Sequence, residues 1–553
     1  MKANHKIIAS LLIASGLISA PTLATANDSE ELEKLRALVQ ELDQKIRVLD
    51  RKNELAEEAA AAKKKETPVV KASEKGFGLQ SADGQHEIKL RGLLQADGRD
   101  FIHGKDLTQK AAPGASTAGY LDNTEEASDT TLLRRVRPTI EGTVFGKYDF
   151  RFTPEFGDGK SQVIDAYLDA RFDPAFKLRT GKYKPFVGLE RLQSGADIKF
   201  IERSYVSSIL PNRDVGVSLY GDLADGKFSY AFGVHNGVVD GGDNTTASDK
   251  NKDKDFAARL FTSPFKDSDN PLAGLSFGLG GTYGDVRGNT KDTVNGSTTE
   301  LTSGYKTEGQ LTFFKYVDGS VLRSGIGEGV TQTGGPGVSW LAHADGKRYR
   351  ISPQATYYYG PLGLLAEYVR ESQEVSIGQT NLKKTTLNND AWQIAASWLL
   401  TGEDASFKGV KPKNNFDLNS GGWGAWELVA RYSALELDDD AFTFGNLGNG
   451  AGVTANQTTG AVGAGTLATL NHYLYADPKA SAKSAKTWTA GVNWYVNPEV
   501  KFSLNYAHTT FDGGGDTLTS SSAHTFKDLL IRSANPKDRE DEDAILARFQ
   551  VAF

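Results

Sequence analysis

Alternation of apolar and polar residues governs most of this chain and predicts strands with one face for hydrocarbon and the other for water. The end shows it plainly: Ile545, Ala547, Phe549, Val551 and Phe553 take every second position, with Arg548 and Gln550 between them. From His86 to Phe101 the residues Ile88, Leu90, Gly92, Leu94 and Ala96 alternate with Glu87, Lys89, Arg91, Gln95 and Asp97. Over Leu133 to Val144, Val136, Pro138 and Ile140 point one way and Arg135, Arg137, Thr139 and Glu141 the other. Tyr148 to Phe156 sets Phe150 and Phe152 against Asp149, Arg151 and Glu155, and Ile164 to Phe172 sets Ala166 and Leu168 against Asp165, Tyr167, Asp169 and Arg171. Strands of this kind cross hydrocarbon when they close into an antiparallel barrel, because closure leaves no edge unpaired.

A second period precedes the strands. Leu32, Val39, Ile46 and Asn53 fall at heptad position a, and Leu35, Leu42, Leu49 and Ala56 at d, which predicts a coiled coil over residues 27–58. β-branched residues at a with Leu at d favour two strands in free peptides, but a barrel interface is far larger and is expected to set the number. Residues 1–26 read as a secretory signal: Lys2, His5 and Lys6, an apolar run from Ile7 to Ile18, then Ala24-Thr-Ala26. Residues 59–84, with four alanines, three lysines and Thr67-Pro68, read as a linker. Residues 85–553 then form the barrel, with room for about sixteen strands. The expected fold class is all-β, a transmembrane antiparallel β-barrel preceded by an N-terminal α-helical coiled coil. The polar segments 240–255, 289–303 and 446–465 are expected as external loops, with Asp253 and Asp255 solvated, and Trp392, Trp398, Trp494 and Tyr495 as membrane-interface aromatics.

Composition narrows the chemistry. After the signal no stretch approaches the roughly 18 apolar residues of a membrane-spanning helix, and a mean hydropathy of -0.41 suits strands that are apolar at alternate positions. Cysteine is absent, which removes disulfides, thiolate metal sites and cysteine nucleophiles. A net charge of -7 argues against nucleic acid as a partner. Gly274-Leu-Ser-Phe-Gly278 matches G-x-S-x-G but lies in an alternating run without the helix a nucleophile elbow needs, so Ser276 is not expected to be catalytic. The histidines are scattered without metal-ligand spacing, and no cofactor is expected.

Three stretches carry a family likeness. The first is Thr180-Gly-Lys-Tyr-Lys-Pro-Phe-Val-Gly-Leu-Glu-Arg-Leu192, continuing through Phe200-Ile-Glu-Arg-Ser204 to Leu210-Pro-Asn-Arg-Asp-Val-Gly216. The second joins Trp398-Leu-Leu-Thr-Gly-Glu403 to Gly424-Ala-Trp-Glu-Leu-Val-Ala-Arg-Tyr-Ser433, and the third is Gly491-Val-Asn-Trp-Tyr-Val-Asn-Pro498. With the leading coiled coil, they resemble the phosphate-selective porin O and P family. The resemblance implies a homotrimeric, sixteen-stranded channel in the outer membrane of a Gram-negative bacterium, bounded by lipid and lipopolysaccharide, with the coiled coil in the periplasm within reach of the cell wall. It also implies an inward-folded loop whose basic side chains pass phosphate or polyphosphate. One departure is that Phe186 follows Pro185 where the family usually has a second proline.

Residues 131–213 hold fifteen basic and ten acidic side chains, whereas the whole chain is acidic. Lys177, Arg179, Lys182, Lys184, Arg191, Lys199, Arg203 and Arg213 lie on or beside the strand and loop that the resemblance folds into the pore, and are the candidate anion-binding constriction. Arg135, Arg137, Arg151 and Arg171 are further luminal cations. An anion entering a narrow passage sheds part of its hydration, a loss that positioned cations and N–H donors offset. Two other readings compete. Asp149, Glu155, Asp165, Asp169, Glu190 and Glu202 could neutralise these cations and leave a general diffusion porin, or the coiled coil could tether envelope layers as the main role. Lys177 and Arg179 share one strand face and Lys182 and Lys184 the other, so the strand is expected to end near Gly181, with both later lysines turning into the constriction loop.

Overall fold

The computed structural model describes residues 26–73, 76–103, 129–244, 253–288, 300–316, 342–377, 383–446, 454–455, 462–463, 471–473, 475–476, 481–515 and 538–553. Sixteen antiparallel strands form a closed ring. The first eight are β1 (Glu87–His103), β2 (Thr130–Val144), β3 (Tyr148–Glu155), β4 (Gln162–Asp173), β5 (Phe176–Tyr183), β6 (Asp214–Leu223), β7 (Phe228–His235) and β8 (Asp255–Thr262). The rest are β9 (Leu275–Arg287), β10 (Ala342–Tyr359), β11 (Leu362–Ile377), β12 (Lys383–Leu399), β13 (Ala425–Glu436), β14 (Ala482–Tyr495), β15 (Val500–Gly513) and β16 (Glu542–Ala552). Each pairs with its sequence neighbour, and β16 closes on β1 with Phe549 opposite Ala96 and Ala544 opposite Phe101. Every strand ladder is thereby satisfied within the ring, as hydrocarbon demands.

Side chains follow the expected alternation on β1 to β4 and β16. Ile88, Leu90, Leu94, Phe152, Leu168 and Phe549 are exposed, while Gln95, Asp97, Glu155, Asp169 and Arg548 are buried on the inner face. Tyr495 departs from the interface role: it faces inward and its hydroxyl donates to Glu427 at 2.7 Å. Trp398 stays outside, and Trp494 stacks on Trp426 at 5.4 Å on the outer face.

The N-terminal helix, α1 (Ala26–Glu66), extends eight residues beyond the expected end at 58, because alanine and lysine sustain a helix and the break waits for Pro68. Its Leu32, Leu35, Val39 and Leu49 are 55 to 64 % exposed in the single chain. Residues 69–80, expected as linker, instead form a hairpin, Val69–Ser73 with Gly76–Gln80, that pairs with the start of β1. Residues 1–25 of the expected signal lie outside the described residues.

Two chain segments fill one side of the ring's interior. The first, residues 184–213 between β5 and β6, contains two single-turn helices, α2 (Leu189–Leu192) and α3 (Val206–Ile209). The second, residues 300–316, carries a tight hairpin in which Tyr305 pairs with Phe314. Tyr205, Val206, Ile209 and Leu210 from the first join Phe313 and Phe314 from the second, against Val369, Val375, Leu387 and Leu435 of the wall. So the described part of the expected external loop 289–303 is internal: Leu301 packs on this core, while 289–299 lie outside the described residues. Asp255, expected in solvent, is buried in β8 and accepts from Arg348 at 2.8 Å. Of segment 446–465, only 446, 454–455 and 462–463 are described.

The closing seam carries a buried ion pair, with Arg548 donating to both Asp97 oxygens at 2.7 and 2.6 Å from directly opposite positions. Removing one partner strands the other charge in a dry site, a loss of about 3–5 kcal/mol. Asp97→Ala is therefore expected to lower the temperature at which the detergent-solubilised barrel loses its folded gel mobility, whereas loss of an exposed pair such as Lys227–Asp267 leaves that temperature within error.

Candidate anion passage

The loop between β5 and β6 begins differently from its expected start. Pairing continues past Gly181 to Tyr183 opposite Asp214. Gly181 adopts φ +122°, and a Cβ there would sit 2.2 Å from the Ala166 carbonyl, so only glycine fits. Beyond it, Tyr183 turns inward and donates to Ser218 at 2.7 Å, while the Lys182 ammonium bonds the Asn244 carbonyl away from the passage.

From Lys184 to Arg213 the loop crosses the interior and is pinned to the opposite wall. The Glu367 carboxylate of β11 accepts the N–H groups of Leu189 and Glu190 at 2.7 and 3.0 Å. The Glu190 carboxylate accepts from Ser204 N (3.0 Å), the hydroxyls of Ser204 and Ser207 (both 2.8 Å) and Arg431 of β13 (3.1 Å). Farther along, Asn505 accepts the Ile201 N–H at 2.8 Å, Arg548 donates to the Ile201 carbonyl at 2.6 Å, and Lys501 donates to that of Ile198 at 2.9 Å. Inward polar side chains of β11, β13, β15 and β16 thus serve as hooks for backbone rather than as a wet wall.

Among the described residues, two cavities of about 430 and 530 Å³ lie between the loop and a wall that is mainly β1 to β6, the smaller also bordered by residues 302–310 and the larger by Arg259 and Phe407. Arg137, Lys184 and Arg213 line both, so they mark the neck. Each of the two arginines is ion-paired with a carboxylate that also lines a cavity: Arg137 meets Glu155, on the 430 Å³ cavity, at 2.5 Å, and Arg213 meets Asp165, on the 530 Å³ cavity, at 2.9 Å. Lys184 instead donates to the Gln193 carbonyl at 2.8 Å, and Arg203 donates to the same oxygen at 2.7 Å. Burial and the nearby guanidinium groups of Arg203 and Arg213 hold the Lys184 ammonium well below the ordinary lysine range. Burial and Arg191 likewise bring Arg203 down to about 9. Burial lowers Arg191 to about 10. Burial would raise Glu202, but Arg134, donating at 2.7 Å, holds it below the usual carboxylate range.

The candidate residues divide accordingly. Arg135, Arg191 and Arg203 line the 430 Å³ cavity, and Arg151 and Arg179 the 530 Å³ cavity. Arg135 donates to Gln95 at 2.6 Å, and Arg151 and Arg179 are held by Glu141 and Asp169. Four lie elsewhere. Lys177 pairs with Asp222 at 2.8 Å and Arg171, exposed, with Asp149 at 2.6 Å, both near the turn that joins β4 to β5 and away from either cavity. Lys182 is spent on Asn244, and Lys199 is bonded to Glu427 beneath the loop. The 131–213 window also missed Arg259 of β8, which lines the 530 Å³ cavity, donates to Gln354 at 3.0 Å and lies 4.3 Å from the Phe261 ring. Its alternation with Phe256, Ala258 and Leu260 was the available signal. That cavity has seven basic lining residues and one acidic, Asp165. The other has nine basic and five acidic. Ser276, from the hydrolase-like pattern, bonds Ser263 at 2.7 Å.

The profile of the phosphate-selective porin O and P family matches residues 115–319 and 339–525. Porin O of Pseudomonas aeruginosa is 24% identical over 507 residues, 88% of this chain and 92% of that protein. Among solved structures, the outer-membrane channel DcaP of Acinetobacter baumannii aligns over 86% of this chain and 99% of its own at 10% identity, TM-score 0.44. The anion-selective porin from Comamonas acidovorans aligns over 85% and 100% at 12% identity, TM-score 0.41.

If the Glu190 carboxylate gathers the loop as its contacts indicate, Glu190→Ala leaves the Ser204 N–H and two hydroxyls without a buried acceptor. Single-channel current in molar potassium chloride is then expected to be larger and noisier than wild type, with folded gel mobility retained. An unaltered current would mean that the remaining anchors hold the loop alone.

Proposed function

Because this chain belongs to the phosphate-selective porin O and P family and is an outer-membrane channel, we propose that it conducts anions passively through the neck at Arg137, Lys184 and Arg213, with inorganic phosphate or short polyphosphate as the permeant. The observation that carries the reading is the imbalance along the passage: seven basic residues against one acidic line the larger cavity, and Glu155, Glu141 and Asp169, which hold Arg137, Arg151 and Arg179, are not part of that lining. Lys184 and Arg203 are bonded to a carbonyl rather than to carboxylates, so no described carboxylate competes with an incoming oxyanion for their N–H donors. A series of moderate sites passes an ion on, where one tight site would hold it.

The general-diffusion reading draws on the ion pairs of Arg137, Arg151, Arg179 and Arg213, but these leave Lys184 at the neck and Arg203 on the 430 Å³ side without a carboxylate hydrogen-bond partner among the described residues. We further propose a homotrimer in the outer membrane of a Gram-negative bacterium, with a cleaved leader and with α1 self-associating in the periplasm through the leucines that a single chain leaves exposed. Contact of that helix with the cell wall and of the barrel with lipopolysaccharide belongs to the same proposal.

The test is the reversal potential of the purified protein in a potassium chloride gradient, followed by titration with phosphate. Anion preference and a phosphate-dependent fall in chloride current are expected; cation preference would overturn the proposal. Lys184→Gln with Arg203→Gln removes two charges without orphaning a carboxylate, and is expected to raise the phosphate needed for half-block by about tenfold or more.

Alkaline titration reads the same lysine. A depressed folded-state pKa means the positive charge disappears as pH rises, starting below the ordinary lysine value of about 10.4. Anion preference is therefore expected to weaken as pH rises, beginning below the ordinary lysine value, and Lys184→Arg to carry it to higher pH.

A further inference from the structure

The two cavities differ in the character of their walls as well as in charge. In the 430 Å³ cavity only Ile164, Val239 and Tyr305 are apolar or aromatic among many Ser, Thr, Gly and charged residues. The 530 Å³ cavity presents Tyr167, Tyr183, Phe186, Leu189, Leu192 and Phe407 beside its cations. Three of these rings surround one guanidinium: the Arg179 carbon lies 4.1 Å from the Tyr167 centroid, 5.4 Å from that of Tyr183 and 5.3 Å from that of Phe186. Asp169 already holds the Arg179 fork, so this group keeps the rings in place. Arg259 is different. It donates to the neutral Gln354 oxygen and lies on the Phe261 face, with the Glu367 charge acting on it at longer range, so no described carboxylate ion-pairs with it in the same cavity.

A hydrated inorganic anion gains nothing from flat apolar walls, which cannot replace the water it sheds. A planar apolar body that bears an oxyanion gains on both counts: its ring leaves water against aromatic and leucine side chains, and its head meets guanidinium donors. The volume, about 530 Å³, is in the range of small-molecule sites. We propose that this cavity is a subsite for planar aromatic carboxylates, with Phe186, Leu192 and Phe407 against the ring and Arg259 toward the carboxylate. The proposal rests on the passage conducting anions and adds a substrate class to it.

The probes are benzoate, acetate and inorganic phosphate, each titrated against chloride current through single channels of the full-length protein. Half-block by benzoate is expected at a concentration lower than that for acetate by about tenfold or more, since the two share a head group and differ in the ring. Phe186→Ser is expected to bring the two concentrations together while phosphate block persists, and Arg259→Gln to raise that for benzoate. Equal block by benzoate and acetate in the wild-type channel overturns the subsite and leaves anion conduction standing. Cation preference with no block by any probe overturns both. Should Phe186→Ser fail to insert, Phe186→Leu, which keeps bulk and loses the flat face, is expected to reduce the benzoate advantage; an unchanged ratio in either variant counts against the site.

Discussion

A strand that crosses hydrocarbon can leave no backbone donor or acceptor unpaired, and the rest of this structure depends on that constraint. It requires the ring to close, which β16 and β1 do through a full ladder and the Arg548–Asp97 pair. Closure sends alternate side chains inward, and an inward polar side chain must find water, an ion or another part of the chain. On β1 to β6 much of that inner face meets open space. On β10 to β16 it meets folded backbone, and Glu367, Arg431, Asn505 and Arg548 become the fasteners of a loop some thirty residues long.

Charge follows from the same division. Arginines on the open side are ion-paired with carboxylates of the same wall, which offsets part of the cost of burying them. At the neck the arrangement changes: Lys184 and Arg203 converge on one carbonyl oxygen, and like charges are held together by loop geometry rather than by counter-ions. Such a cluster is unfavourable when empty, and an anion passing between its members relieves the repulsion.

The strands were legible wherever the alternation was undisturbed. Ile88 to Asp97, Arg135 to Glu141 and Ile545 to Phe553 each announce a two-faced strand, and the structure sets those faces as the pattern requires. Legibility failed where the interior is not water. Val369, Val375, Leu387 and Leu435 face inward yet are apolar, because Tyr205, Ile209 and Phe313 cover them. In the second segment a signal was present, since Phe313-Phe314 is a poor candidate for solvent, but the polar stretch 289–303 before it reads as an external loop. Individual cations were harder still. Lys177, Lys182 and Lys199 sit in the right stretch of chain and are drawn off by Asp222, Asn244 and Glu427, partners 45, 62 and 228 residues away. Arg259 was overlooked because the charge count was confined to one window, whereas a ring brings distant strands to one cavity.

The hairpin at Tyr305 and Phe314 shapes the passage in a further way. Sixteen strands would ordinarily enclose a wide aqueous bore, but this hairpin and the crossing loop occupy one side, so strand number ceases to be a gauge of throughput. Flow is set instead by a gap between one wall and an anchored partition, which a change of loop length can rescale without adding or removing a single strand.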